Sequence, residues 1–191
     1  MVASPLIGVL ALQGASDAHQ RMLASLGART RRVRRAADLD GVDGLVLPGG
    51  ESTAMLRLMA REQLFEPLRD AVTRLPCLGT CAGAILLACT VIPAQDSLGA
   101  LPMRIARNAY GRQRDSIILS GKTALAGGAL QMIFIRAPRI DALGDGVNVL
   151  AWRGADPVLV QKGHTLACMF HPELGTDTRV HAHFLGLVMN R

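Results

Sequence analysis

Residues 79–83 read Gly-Thr-Cys-Ala-Gly, and no other stretch of the 191-residue chain narrows its fold as far. The apolar run ending Pro76-Cys77-Leu78 leads in and Ala84-Ile85-Leu86-Leu87-Ala88 leads out, the pattern of a short buried strand, a tight turn and a helix. Cys81 then sits at the turn. Glycines two residues either side let a strained backbone pass close to its neighbours, and the following helix points free N–H groups back at the sulfur. This is the G-x-S-x-G nucleophile elbow with sulfur in place of oxygen, and the backbone N–H of Ala82 is placed to donate to an oxyanion. The competing reading is a buried cysteine beside an ordinary glycine turn, and the pentapeptide alone does not separate the two.

Upstream, strand and helix patterns alternate. Leu6 to Leu12 reads as a strand, Gln13-Gly14-Ala15 as a loop, and Ser16 or Asp17 to Leu26 as a helix stopped by Gly27. A modest strand over Arg29 to Arg35 follows, then a turn and a strongly apolar strand, Gly44 to Leu47. Pro48-Gly49-Gly50-Glu51-Ser52-Thr53 opens a helix over Ala54 to Arg61, and a second helix runs from Leu64 to Leu75. Such alternation predicts a parallel sheet covered on both faces. Beyond the elbow helix, residues 93–111 resist assignment. Five strands are then predicted in quick succession, Asp115 to Ser120, Leu130 to Arg136, Val147 to Trp152, Pro157 to Gln161 and Thr165 to Phe170. Their close spacing without helices predicts antiparallel hairpins at the far edge of the sheet. Asp177 to Met189 is a closing helix. No repeat, low-complexity tract or linker divides the chain, so 1–191 is read as a single domain.

Half the residues are hydrophobic, enough for a full-sized core. The first residues lack a basic leader, and Leu6 to Leu12 is too short to span a bilayer, so no membrane is expected. Cys77, Cys81, Cys89 and Cys168 lie in apolar surroundings without the density of a disulfide scaffold or the spacing of a zinc ribbon. That predicts a reducing cytoplasm and no structural metal. The formal charge is +6, concentrated in Arg29, Arg31, Arg32, Arg34 and Arg35, but aromatics are only 3 % of the chain, too few for base-stacking platforms. A solvated or partner-facing edge is expected there in place of a nucleic-acid site.

A thiol needs a base. His171 ends an apolar strand and begins His171-Pro172-Glu173, where the proline pushes it into an extended conformation that lets His171 and Glu173 project to one side. The carboxylate would hold one ring nitrogen and leave the other to exchange a proton with Cys81. Both residues follow strands, and in an open α/β sheet groups at neighbouring carboxyl ends share one crevice. A capping histidine at a strand end is the alternative. In Pro48-Gly49-Gly50-Glu51-Ser52, Gly50 could supply a second oxyanion donor opposite Ala82; the alternative is a plain turn capped by Ser52 or Thr53. Arg107 and Arg136 follow apolar stretches and could bind a carboxylate, although isolated arginines are usually surface residues. His181 and His183 are two apart on a predicted helix, too far round to share a metal.

These residues resemble the class I (triad) glutamine amidotransferases, and among them the glutaminase subunits of pyridoxal 5′-phosphate synthase. The resemblance rests on Gly8-Val9-Leu10-Ala11-Leu12-Gln13-Gly14 with His19, Leu47-Pro48-Gly49-Gly50-Glu51-Ser52-Thr53, Gly79-Thr80-Cys81-Ala82-Gly83, Arg107-Asn108-Ala109-Tyr110-Gly111-Arg112-Gln113, Phe134-Ile135-Arg136-Ala137-Pro138 and His171-Pro172-Glu173-Leu174. It implies a three-layer, flavodoxin-like α/β sandwich with a mostly parallel central sheet and antiparallel strands at one edge. It implies Cys81 as nucleophile, His171 as general acid/base, Glu173 as its orienter, and Gly50, Glu51, Ser52, Arg107, Ile135 and Arg136 as glutamine-binding positions. No cofactor is implied. The implied partner is a barrel-shaped synthase subunit that receives ammonia within a multi-subunit complex, with Gln13, Gly14 and the arginine-rich edge as candidate docking surfaces. Ala84 stands where many other triad glutaminases have glutamine. Tyr110, Ile117 and Gly175-Thr176 depart from the family's usual residues and bear on partner contacts more than on chemistry. Two alternatives remain at this level, another triad amidotransferase such as the one feeding histidine biosynthesis, and a non-catalytic or redox-sensing module on the same fold.

Overall fold

Strand β1 (Leu6–Leu10) lies inside a sheet, parallel to β2 (Arg29–Val33) on one side and β3 (Gly44–Leu47) on the other, in a computed structural model that describes residues 4–107 and 116–190. Alternate side chains of these strands feed two separate cores. Ile7, Val9 and Val46 pack with Leu23 of helix α1 (Ser16–Ser25) and with Phe184 and Val188 of α5 (Arg179–Met189). Leu10, Leu45 and Leu47 pack with Met55 and Met59 of α2 (Ser52–Arg61) and with Leu68 and Val72 of α3 (Phe65–Arg74). Helices therefore cover both faces, and the result is the expected three-layer α/β sandwich.

The sheet continues from β3 to β4 (Cys77–Thr80), which leads through Cys81 into α4 (Ala82–Leu87). The chain then departs from the expectation. β5 (Ala88–Ile92) and β6 (Leu101–Ala106) pair in parallel, and β9 (Arg139–Leu143) adds antiparallel to β6, making a separate three-stranded sheet. Pro102, which cannot donate a ladder hydrogen bond, disguises β6 in the sequence. β7 (Ile117–Gly121) and β8 (Leu130–Phe134) form a two-stranded hairpin of their own. Only β10 (Asn148–Arg153), β11 (Asp156–Lys162) and β12 (Thr165–Cys168) join the main sheet, whose order is β10-β11-β12-β4-β3-β1-β2. The antiparallel edge is thus β10 and β11, whereas β12 lies inside, parallel to β4.

That insertion positions the site. β1, β3, β4 and β12 end side by side, with Leu47 opposite Gly79 and Cys168 opposite Thr80. The arginine-rich β2 is the other outer strand, where Arg32 pairs with Asp17 and Arg31 donates to the carbonyls of Asp38 and Asp40. Charged side chains on an edge strand discourage edge-to-edge pairing. Among the described residues no helix is long and apolar enough to cross a membrane.

Candidate active site

The elbow is strained at its cysteine. Cys81 has φ +48° and ψ −105°, and it is 7 % exposed. Among the described residues only Gln63 and Arg136 join it as non-glycine positions with positive φ, and Arg136 lines the same cavity. Strain of this kind persists only where packing over-determines it, and here the packing is visible. A Cβ on Gly83 would lie 1.8 Å from the Leu47 carbonyl oxygen, so the first turn of α4 can press onto the end of β3 only without one. Gly79 and Gly83 thus serve close approach, while Cys81 itself carries the unusual backbone.

β12 delivers the imidazole. The Cys81 N–H donates to the Cys168 carbonyl at 2.8 Å, locking the elbow to β12, and three residues on from Cys168 stands His171, whose N–H donates to the Ile133 carbonyl at 2.8 Å. Pro172–Leu174 forms a 3₁₀ turn, in place of the extended segment predicted from the proline. Proline holds the residue before it out of the helical region and then starts the turn itself. His171 and Glu173 still meet, with Nδ1 2.7 Å from Oε1. An ionised Glu173 can only accept, so Nδ1 donates, and the other ring nitrogen is left for the sulfur. Gly49 packs against both partners: an added Cβ would fall 2.4 Å from His171 Cε1 and 3.4 Å from Cys81 Cβ.

Burial alone would make His171 less basic. Hydrogen bonds to Cys81 and Glu173 and the negative charge of both outweigh it and push the ring up to about 10 from an ordinary 6.5. Glu173 is 6 % exposed, and burial opposes its charge too, yet the hydrogen bond from His171 and the neighbouring imidazoles hold it below the usual carboxylate range.

Cys81 and His171 open on a cavity of about 650 Å³, whose walls also include Gly50, Glu51, Ser52, Arg107, Ile135 and Arg136. Gln13, Gly14 and Ile85 complete the lining. Ala82 and Glu173 do not line it, and the Ile135 carbonyl is 3.9 Å from the Cys81 sulfur. Glu51, not Ser52 or Thr53, caps α2, its carboxylate accepting from the backbone N–H groups of Thr53 at 3.1 Å and Ala54 at 2.8 Å. The Thr53 hydroxyl also donates to it, and with these amides holds it below the usual carboxylate range. Residues 108–113 of the predicted motif, Tyr110 among them, lie outside the described residues.

The sequence reading missed a shell behind this wall. Gln95 accepts from both the Ser52 hydroxyl, at 3.0 Å, and the Arg107 guanidinium, joining two cavity residues. His19 and His181, from α1 and α5, are fully buried and face each other across 2.9 Å, Nδ1 to Nε2. His19 Nε2 is 3.1 Å from the Thr80 hydroxyl and 3.4 Å from Glu173 Oε2. Burial drives both rings down, His19 to about 4 and His181 to about 3. A signal was present: His19 is four residues before buried Leu23, and His181 three before buried Phe184, each a polar residue on an apolar helix face. For Gln95 no signal existed. His183 points elsewhere, to Gln161 at 2.7 Å.

A mostly parallel sheet carries the strained cysteine elbow, and an imidazole and a carboxylate follow the carboxyl end of the adjacent strand, on a fold shared with glutamine amidotransferases. The chain belongs to the SNO glutamine amidotransferase family, whose model matches residues 9–190. It is 54% identical over 185 residues, 96% of each chain, to a Koribacter versatilis protein named pyridoxal 5′-phosphate synthase subunit PdxT. A protein of the same name from Exiguobacterium sibiricum is 48% identical over 97% of this chain and 96% of its own. A solved structure described as a glutamine amidotransferase superposes with a TM-score of 0.89 at 42% identity, over 96% of this chain and 98% of that one.

Proposed function

We propose that this chain is the glutaminase subunit of a pyridoxal 5′-phosphate synthase, hydrolysing L-glutamine to L-glutamate and ammonia. The observation that carries the reading is the convergence of Cys81 and His171 on one cavity, with Glu173 2.7 Å behind the imidazole, in a chain of this family. The Cys81 thiolate attacks the side-chain amide carbon, and the electron pair of the C=O bond moves onto oxygen. The N–H groups of Ala82 and Gly50 hold that oxyanion. His171, as imidazolium, protonates the departing nitrogen; the C–N bond breaks, ammonia leaves, and a thioester remains. His171 then takes a proton from water, the hydroxide equivalent adds to the thioester, and glutamate departs as the thiolate reforms.

Glu51, Ser52, Arg107, Ile135 and Arg136 are the glutamine-binding positions, with anionic Glu51 suited to an α-ammonium and the arginines to an α-carboxylate. Ammonia released into bulk water would be protonated, so it passes to a barrel-shaped synthase subunit docked over the cavity mouth. A synthase partner is supported by the two relatives above, each named as a subunit of pyridoxal 5′-phosphate synthase and each matched across nearly its whole length. All four cysteines are free thiols, which suits a cytoplasmic setting.

The test is glutamate release from glutamine with the synthase partner present, in wild type and Cys81→Ala. The variant is expected to lose release by at least about 10³-fold. Unchanged turnover would end the cysteine mechanism, and release supported equally by a synthase of another pathway would end the assignment of partner.

A further inference from the structure

The mechanism above uses one oxygen of Glu173. The other, Oε2, is buried and makes no hydrogen bond of ordinary geometry among the described residues, and His19 Nε2 stands 3.4 Å from it. A carboxylate oxygen in the interior without a donor is costly, so the proton on the facing imidazole matters. His19 has two tautomers. With the proton on Nδ1, a bare Nε2 lone pair would face the carboxylate and the ring would donate to His181, leaving a buried His181 Nδ1–H with no acceptor. With the proton on Nε2, His19 donates toward Glu173 Oε2 and the Thr80 hydroxyl and accepts from His181 Nε2–H. Only the second arrangement gives Oε2 a donor, and it leaves His181 Nδ1 as a bare nitrogen, which is better tolerated than an orphaned N–H.

Resting on the glutaminase reading, we propose that His19 is a positioning residue for the triad: as the neutral Nε2–H tautomer, fixed by His181, it holds Glu173 from behind so that the carboxylate aims Oε1 at His171. The chain of donors then runs one way, from His181 to His19 to Glu173, with His171 donating to the same carboxylate from the other side. Four elements meet in it, α1, the end of β4, the 3₁₀ turn after His171 and α5, of which only the last two are consecutive in the chain. Thr80 belongs to the elbow pentapeptide itself, so His19 braces the nucleophile's turn as well as the orienter. Burial holds His19 neutral, and a neutral donor supports the carboxylate without placing a second positive charge beside the His171 imidazolium.

Two substitutions of similar size and polarity separate positioning from filling space. In His19→Gln the amide nitrogen falls where Nε2 was and can still donate to Glu173; in His19→Asn the amide reaches only the Nδ1 position and serves His181. Glutaminase kcat is expected to fall about tenfold or more in H19N with KM for glutamine nearly unchanged, and to stay within about threefold of wild type in H19Q. Alkylation of Cys81 by iodoacetamide in the isolated subunit, which needs no turnover, should rank the three proteins in the same order. Equal losses in both variants, or a loss confined to KM, would overturn the proposal. If the wild type releases no Cys81-dependent glutamate, the glutaminase reading fails by itself, and the alkylation order still decides His19. Should neither variant fold, nitrogen chemical shifts of ¹⁵N-histidine wild type decide: a protonated Nδ1 on His19 would overturn the tautomer on which everything above depends.

Discussion

Glu173 has an imidazole on each side, and the two could hardly differ more. In front, His171 borders the cavity and touches both a sulfur and a carboxylate, and its basicity rises to about 10. Behind, His19 is sealed between α1 and α5 and falls to about 4, although the same carboxylate lies 3.4 Å away. One anion thus serves two rings with opposite results. Burial disfavours the charged ring in both; in His171 the hydrogen bonds to Cys81 and Glu173 overcome it. A ring that favours its charged form stands in front and one held neutral stands behind, and the side chain's surroundings, not its type, set the division.

The front of the comparison breaks most visibly with His171→Gln, which removes the acid and base together. Glutamate release is expected to drop by about 10⁴-fold with folding retained, as read by circular dichroism. Glu173→Gln strikes both sides at once, because its amide can accept from His171 or donate toward His19 but carries no charge for either. A fall in kcat of about 10²-fold is expected, and near-wild-type turnover would remove Glu173 from the mechanism.

The back is read from stability against pH. His19 and His181 are depressed to about 4 and about 3, so between there and the ordinary 6.5 the unfolded chain binds two protons that the folded one refuses. Their contribution is fully present above pH 6.5 and is lost as pH falls, by up to about 3 kcal/mol per pH unit near pH 5. Glu173, also lowered, adds to the loss below its unfolded value. His171 runs the other way, its contribution being complete below pH 6.5 and lost as pH rises toward 10. Urea midpoints measured between pH 8 and 4.5 test this, and a flat profile below 6.5 would mean that the histidine pair is not buried neutral. The smallest effect sharpens the contrast: His183, which bonds Gln161 away from the cavity, should tolerate His183→Gln within about 0.5 kcal/mol and with unchanged activity.

Much of this was legible before any coordinates. The elbow, the strand and helix alternation of the first 90 residues, and the pairing of His171 with Glu173 all follow from short spacings, where backbone preferences act on near neighbours. Prediction weakened where partners were distant. Leu101–Ala106 alternates inward and outward as a strand should, yet Pro102 and the lack of a local hairpin partner concealed it; its neighbours β5 and β9 come from either side of a long insertion. The late strands were recognised as strands but assigned to one edge, because periodicity reveals which face is buried and not which strand lies alongside. Glu51 as the cap of α2 was overlooked because Ser52 and Thr53, stronger cap formers by residue type, stand next to it.

By itself the chain of residues determined a parallel α/β domain with a cysteine at a sharp turn and a histidine-carboxylate pair after a strand, since each depends on residues within a few positions of one another. Tertiary structure alone decided that β12 slots beside β4, which brings Cys81 and His171 to one cavity, and that His19 meets His181 across 162 positions behind Glu173. Such meetings belong to the packing of whole elements around a shared core, where the cost of an unpaired buried polar group selects the partner and local sequence carries no record of it.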